Sequence, residues 1–87
     1  MGDMGSKKNE MGTLGMRVAA AIRIEAAARH QTGKDIADIT GKSAPYVSRR
    51  LNDTAEWTLT DVGLLCDSWG ITPEQLLTSA HTGIWKL

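Results

Sequence analysis

The feature that most constrains this chain is its punctuation. Hydroxyl residues able to cap a helix stand at Thr32, Ser43, Thr58 and Thr72, and glycines able to end one stand at Gly41 and Gly70. A capping hydroxyl accepts a bond from the unpartnered N–H groups of a first helical turn, and glycine takes the left-handed backbone that closes a last turn. Asp35, Asp61 and Gln75 each follow a Thr by three residues, where a side chain can bond back to the cap. Pro45 and Pro73 fall in first turns, where the missing N–H is not needed. These marks, with no alternating strand pattern, predict an all-α chain of five short helices.

The apolar spacing assigns an inner side to each helix. Leu14, Val18, Ile22 and Ala26 recur every fourth residue with Ala21 beside them, which predicts a first helix from about Leu14 to Gln31 with Arg17, Arg23 and Arg29 on other faces. The second, from Thr32 to Gly41, turns Ile36, Ala37 and Ile39 inward. The third, from Ser43, anchors through Val47 and Leu51. Asn52 and Asp53 favour a turn before the connector Thr54 to Thr58. The fourth turns Leu59, Val62, Leu65 and Cys66 or Trp69 inward, and the fifth carries Leu76 and Leu77. The chain has 87 residues, 41% hydrophobic without Phe, so a modest core of Ile, Leu, Val, Ala, Met and Trp is expected in one domain. The expected organisation is a disordered arm at 1–12, a domain at 13–80 and a tail at 81–87. Ile84, Trp85 and Leu87 lie together in that tail without a helix start signal, and are expected as an extended piece and a dimer contact.

Several function classes fit poorly. Cys66 reads as a small buried core side chain. His30, His81 and Cys66 match no metal-ligand spacing, and so small a helical domain offers little room for a catalytic pocket. Asp61, Asp67 and Glu74 read as helix-start charges or solvated face, and Trp57 and Trp69 as core flanking the fourth helix. No 18-residue apolar run and no secretory leader pattern are present, so a cytoplasmic protein is expected. Net charge is zero, yet residues 17–52 hold seven basic side chains against three acidic ones, and residues 53–87 hold one against five. The expectation is a dipole with one basic end.

Two short helices joined by a short turn containing Gly meet the steric requirements of a helix-turn-helix. Ala37 lets the third helix approach the second, Gly41 permits the turn, and Val47 with Leu51 seats the third helix in the core. Its remaining side then carries Ser43, Ala44, Pro45, Ser48 and Arg49, with Asn52 one turn on, as candidates for reading base edges in a DNA major groove. Among these only Arg49 can offer two parallel donors to guanine O6 and N7.

The segments AAIRIEAAA, KDIADITGKSAPYVSRRLND and WTLTDVGLLCDSWGITPEQLL, within Val18 to Leu77, resemble the phage-repressor and Cro-like helix-turn-helix family, including xenobiotic-response-element-type regulators. The resemblance implies a compact five-helix lambda-repressor-like domain with its third helix in the major groove. It further implies a homodimer on a palindromic double-stranded operator, repressing by occupancy, without cofactor, metal, membrane or small-molecule ligand. It places Thr32, Lys34, Lys42, Tyr46, Arg50 and Arg17 on the DNA backbone. A protein-interaction adaptor or an antitoxin on the same fold is the alternative. Two positions depart from the family pattern. Gly33 stands where many members have a glutamine that touches the DNA backbone, and Gln31 stands where an apolar residue is usual, which predicts a looser join between the first two helices.

Overall fold

The computed structural model describes residues 11–86, with side chains through Ser79. Over these residues the chain is all-helical: α1 (Thr13–Ala28), α2 (Gly33–Thr40), α3 (Ala44–Leu51), α4 (Leu59–Trp69) and α5 (Pro73–Lys86). The hydroxyl caps form as their sequence positions require. Asp35 and Thr32 exchange bonds across the start of α2, as do Asp61 and Thr58 at α4. Gln75 and Thr72 do the same at α5, at 3.1 Å and 2.8 Å. At α3 the Tyr46 N–H donates to Ser43 Oγ at 3.3 Å. α1 has no side-chain cap of its own; instead the Glu56 carboxylate accepts the Gly12 N–H at 2.8 Å, placing negative charge at the positive end of that helix. The connector approaches so closely there that a Cβ on Gly15 would meet Glu56 Oε2 at 2.7 Å.

The first four helices end in one way. In each, a residue with positive φ lets the following N–H bond back to a carbonyl five residues earlier: Gln31 to Ala26, Lys42 to Ala37, Thr54 to Arg49 and Ile71 to Cys66. Gly41 and Gly70 supply the left-handed residue at α2 and α4, at φ 71° and 69°. At α1 and α3 it is His30 and Asp53, at φ 57° and 62°. The sequence expectation carried α1 to Gln31; it stops at Ala28 because His30 turns left-handed and hands the Gln31 N–H to Ala26 at 2.8 Å.

Ala19, Ala21, Ile22 and Ala26 of α1, Ile36 of α2, Val47 of α3, Leu65 and Cys66 of α4 and Leu76 of α5 meet in one core, closed by Trp57 and Trp69. The small residues of α1 let α5 lie along it, while α2 packs on α3 and α4. Burying a side chain the size of Ile22 or Leu65 stabilises by about 1.5 to 3 kcal/mol, so these few residues dominate the packing energy.

Three expectations are corrected. Leu14 and Leu59 do not face inward; they are 64% and 90% exposed. Both lie in first turns, beyond the core's edge, and the buried stripe of α4 runs through Asp61, Leu65 and Trp69 at four-residue steps. The expected extended piece after residue 80 is instead the continuation of α5 through Lys86, since the cap at Thr72 starts one uninterrupted helix. The side chains of Ile84, Trp85 and Leu87, with the dimer contact expected of them, lie outside the described residues, as do residues 1–10 of the arm. Gln31 does not loosen the join of α1 and α2: its Oε1 accepts the Trp69 indole N–H at 2.9 Å and ties that join to the end of α4. Among the described residues no helix is long and apolar enough to cross a membrane.

Candidate nucleic-acid interface

α3 is two turns long and divides sharply by side. Val47 is buried and Leu51 half-buried, whereas Ser43, Ala44, Pro45, Ser48, Arg49 and Asn52 are all exposed. The reason is spacing: positions 45, 48, 49 and 52 recur at three or four residues and share a face, and Val47 and Leu51 hold the opposite one against the core. On the outer face Asn52 donates to Ser48 Oγ at 3.4 Å, and Ser43 is engaged as the cap. The Arg49 guanidinium has no hydrogen-bond or ion-pair partner among the described residues.

The neighbouring cations behave differently. Lys42 Nζ donates to Asp61 Oδ1 at 2.9 Å and stands 5.0 Å from the centre of the Tyr46 ring. Arg50 stacks on the same ring at 3.4 Å, and gives its Nε to the Glu56 carbonyl and one terminal nitrogen to the Tyr46 carbonyl, both at 3.0 Å. The Tyr46 hydroxyl donates to Asp61 Oδ2 at 2.5 Å. Lys42, Tyr46 and Arg50 are therefore held within the molecule by a single network centred on a fully buried carboxylate. Burial alone would push the Asp61 carboxyl up. The bonds from Tyr46, Lys42 and Thr58 together outweigh it and hold the group below the ordinary carboxylate range. The same contact with Asp61 raises Lys42.

Thr32, Lys34 and Arg17 complete the set singled out from the sequence. Thr32 is exposed at the start of α2 but committed to its capping box with Asp35. Lys34 sits two residues on, more than four-fifths exposed, with only a loose 3.5 Å contact to Asp38 that is itself in solvent; such a pair contributes little. Arg17 is on α1, in a shallow cleft with Arg23 and Asp53. Gly33 is not required by crowding, since a Cβ there would make an ordinary 3.5 Å contact with Leu51. Ala37 is half-buried between α2 and the rest of the core, and Gly41 makes the left-handed turn.

No family model, curated protein or solved structure matches this chain.

Two things escaped the sequence reading. Asp61 was legible as a capping acid, but its bonds to Lys42 and Tyr46 span 19 and 15 residues, and no local pattern announces them. The expected charge separation is also weaker than the linear count suggests: Arg23 pairs with Asp53 at 2.6 Å and Lys42 with Asp61, so two acids of the second half neutralise two bases of the first. Among the described residues no three His, Cys, Asp or Glu side chains are grouped to hold a metal ion.

Proposed function

We propose that this chain is a sequence-specific DNA-binding regulator of transcription, a phage-type repressor of the Cro-like kind, with α2 and α3 as its helix-turn-helix. The observation that carries the reading is the outer face of α3. It is exposed from Ser43 to Asn52, small at Ser43, Ala44 and Ser48, and bears an arginine whose guanidinium has no partner among the described residues. A helix of that kind fits the roughly 12 Å width of a major groove, and small side chains near its start let the backbone approach base edges. In this reading Arg49 reads guanine, Ser43, Ala44, Pro45, Ser48 and Asn52 contact neighbouring bases, and Lys34 and Thr32 meet phosphates at the start of α2. Lys42, Tyr46 and Arg50 meet the backbone as a pre-arranged group.

One protomer offers few such contacts, and we propose a homodimer on a palindromic operator, its half-sites about one helical turn, roughly 34 Å, apart. Repression then follows from occupancy of a promoter. Selection from a random duplex pool tests the reading, followed by titration with salt. Enrichment of a palindrome is expected, with affinity that falls, for each tenfold rise in salt, by about 0.9 logarithmic units per phosphate neutralised. Failure to enrich any sequence, or affinity indifferent to salt, overturns it.

One observation favours a second reading, an adaptor that binds protein. Leu14, Met16 and Leu59 are exposed apolar side chains, and Leu14 and Leu59 line one groove with Val18, Trp57 and Val62. A partner seated there would bury surface that otherwise stays wet.

A further inference from the structure

A capping acid needs one oxygen and normally sits in water. Asp61 departs on both counts. Its side chain is fully buried, Oδ2 accepts from the Tyr46 hydroxyl and the Thr58 N–H, and Oδ1 accepts from Lys42. Those donors come from α3, from the N-cap of α4 and from the turn that leads into α3. α3 itself has one fully buried side chain, Val47. Leu51, half-buried one turn on, lies along the same side, so the core holds this two-turn helix along one line and resists its rolling only weakly. Tyr46 precedes Val47 by one residue, about 100° round the helix, so a second anchor there fixes the roll. Arg49 stands three residues after Tyr46, and its direction follows.

We infer that Asp61 is a positioning residue for the outer face of α3, setting the roll of that helix through the Tyr46 hydroxyl and the pose of the preceding turn through Lys42. The inference rests on the DNA-binding reading for its functional consequence. Through the Tyr46 ring the same carboxylate also sets Arg50, which stacks there, so the start of α4 governs residues that never touch it. The specificity of the interface is thereby determined in part by a side chain that no DNA could reach.

Two variants of the full chain test this. Tyr46→Phe keeps the ring that carries Arg50 and deletes only the hydroxyl; Asp61→Asn keeps the size of the anchor and removes its charge. Each is measured for amide hydrogen exchange without DNA, and for binding to the duplex enriched by wild type and to a scrambled duplex of equal composition. A misaimed contact group costs on the order of tenfold or more in recognition, so the enriched-to-scrambled ratio is expected to fall about tenfold in Asp61→Asn and less in Tyr46→Phe. Exchange is expected to quicken about tenfold in α3 relative to α1 and α5 in both. The double variant should lose little beyond Asp61→Asn, since the two changes break one connection. Protection lost equally in all helices would make Asp61 an ordinary stabiliser and overturn the inference, as would an unchanged binding ratio. If wild type enriches no duplex, the DNA reading fails by itself, and relative exchange in α3 still decides whether Asp61 holds that helix.

Discussion

The outer face of α3 and the flank of α3 that looks toward α4 are separated by a fraction of a helical turn, yet their cations live under opposite conditions. On the flank, Arg50 and Lys42 crowd one tyrosine ring and give their hydrogen bonds to Asp61, Glu56 and Tyr46. On the outer face, the Arg49 guanidinium has no hydrogen-bond or ion-pair partner among the described residues. Two arginines adjacent in sequence thus have distinct surroundings. In the proposed reading Arg50 belongs to the group that orients the helix, and Arg49 is what the oriented helix presents. If so, stability and recognition should separate by residue.

The largest effect is expected where the flank is cut at its centre. Asp61→Ala leaves Lys42 and the Tyr46 hydroxyl without their acceptor and removes the α4 capping box. A loss of about 2 to 3 kcal/mol is expected, discounted from the deep-burial range because Lys42 is partly in water. Arg49→Ala should change unfolding free energy by less than about 0.5 kcal/mol. Urea unfolding of the two variants gives the contrast directly, and comparable losses would break the division.

Acid and alkali probe the same centre without mutation. Asp61 and Glu25 are held below their ordinary values of 3.8 and 4.5. For Glu25 burial works upward, and bonds from Ser79 and Arg29 overcome it. A depressed carboxyl contributes stability that is present above its unfolded value and lost as pH falls through the folded one. Stability should therefore decline below about pH 4, and less steeply in Asp61→Asn. Lys42 is raised from 10.5, so its contribution holds below that value and fades as pH rises through the folded one; Lys42→Met should remove this alkaline part. Denaturant midpoints across the pH range check both limbs.

A smaller effect belongs to the caps. Ser43→Ala removes the acceptor for the Tyr46 N–H and should cost about 1 kcal/mol. Thr58→Ala, which also unseats Asp61, should cost more than Ser43→Ala and bring a measurable rise in α3 hydrogen exchange. Equal cost with no change in α3 would show that the two ends of this network are independent.

The smallest effects compare the helix ends and have opposite signs. His30→Gly relieves a left-handed non-glycine residue and should stabilise by up to about 1 kcal/mol. Gly41→Ala forces a side chain into the same backbone and should destabilise by about as much, although nothing lies within 4 Å of the added carbon. Thermal melts of the pair resolve the sign.

These ends also show what a sequence can carry. Gly41 and Gly70 announce their turns because glycine is the residue that adopts them freely. His30 makes the same turn silently, because it is tolerated there and common elsewhere, whereas Asn52 and Asp53 announce a turn without saying which residue goes left-handed. The caps at Thr32, Thr58 and Thr72 were legible for a similar reason: partner and cap lie three residues apart. The links of Gln31 to Trp69 and of Asp61 to Tyr46 were not, since each joins residues brought together only by the folded core. The inward assignment of Leu14 and Leu59 failed because periodicity gives the face of a helix but not how far the neighbouring helices extend along it. The exposed set on α3 could be read from the positions of Val47 and Leu51 alone.

The central claim is that α3 presents Arg49 to a base while its flank holds it in place. The most direct test is base preference at every position of the enriched duplex, measured for wild type, Arg49→Ala and Lys34→Ala. The account predicts that Arg49→Ala loses about 1 to 3 kcal/mol of discrimination at one guanine in each half-site, while Lys34→Ala weakens all sequences alike and lowers the salt dependence. Uniform weakening by Arg49→Ala, with every base preference intact, would contradict it.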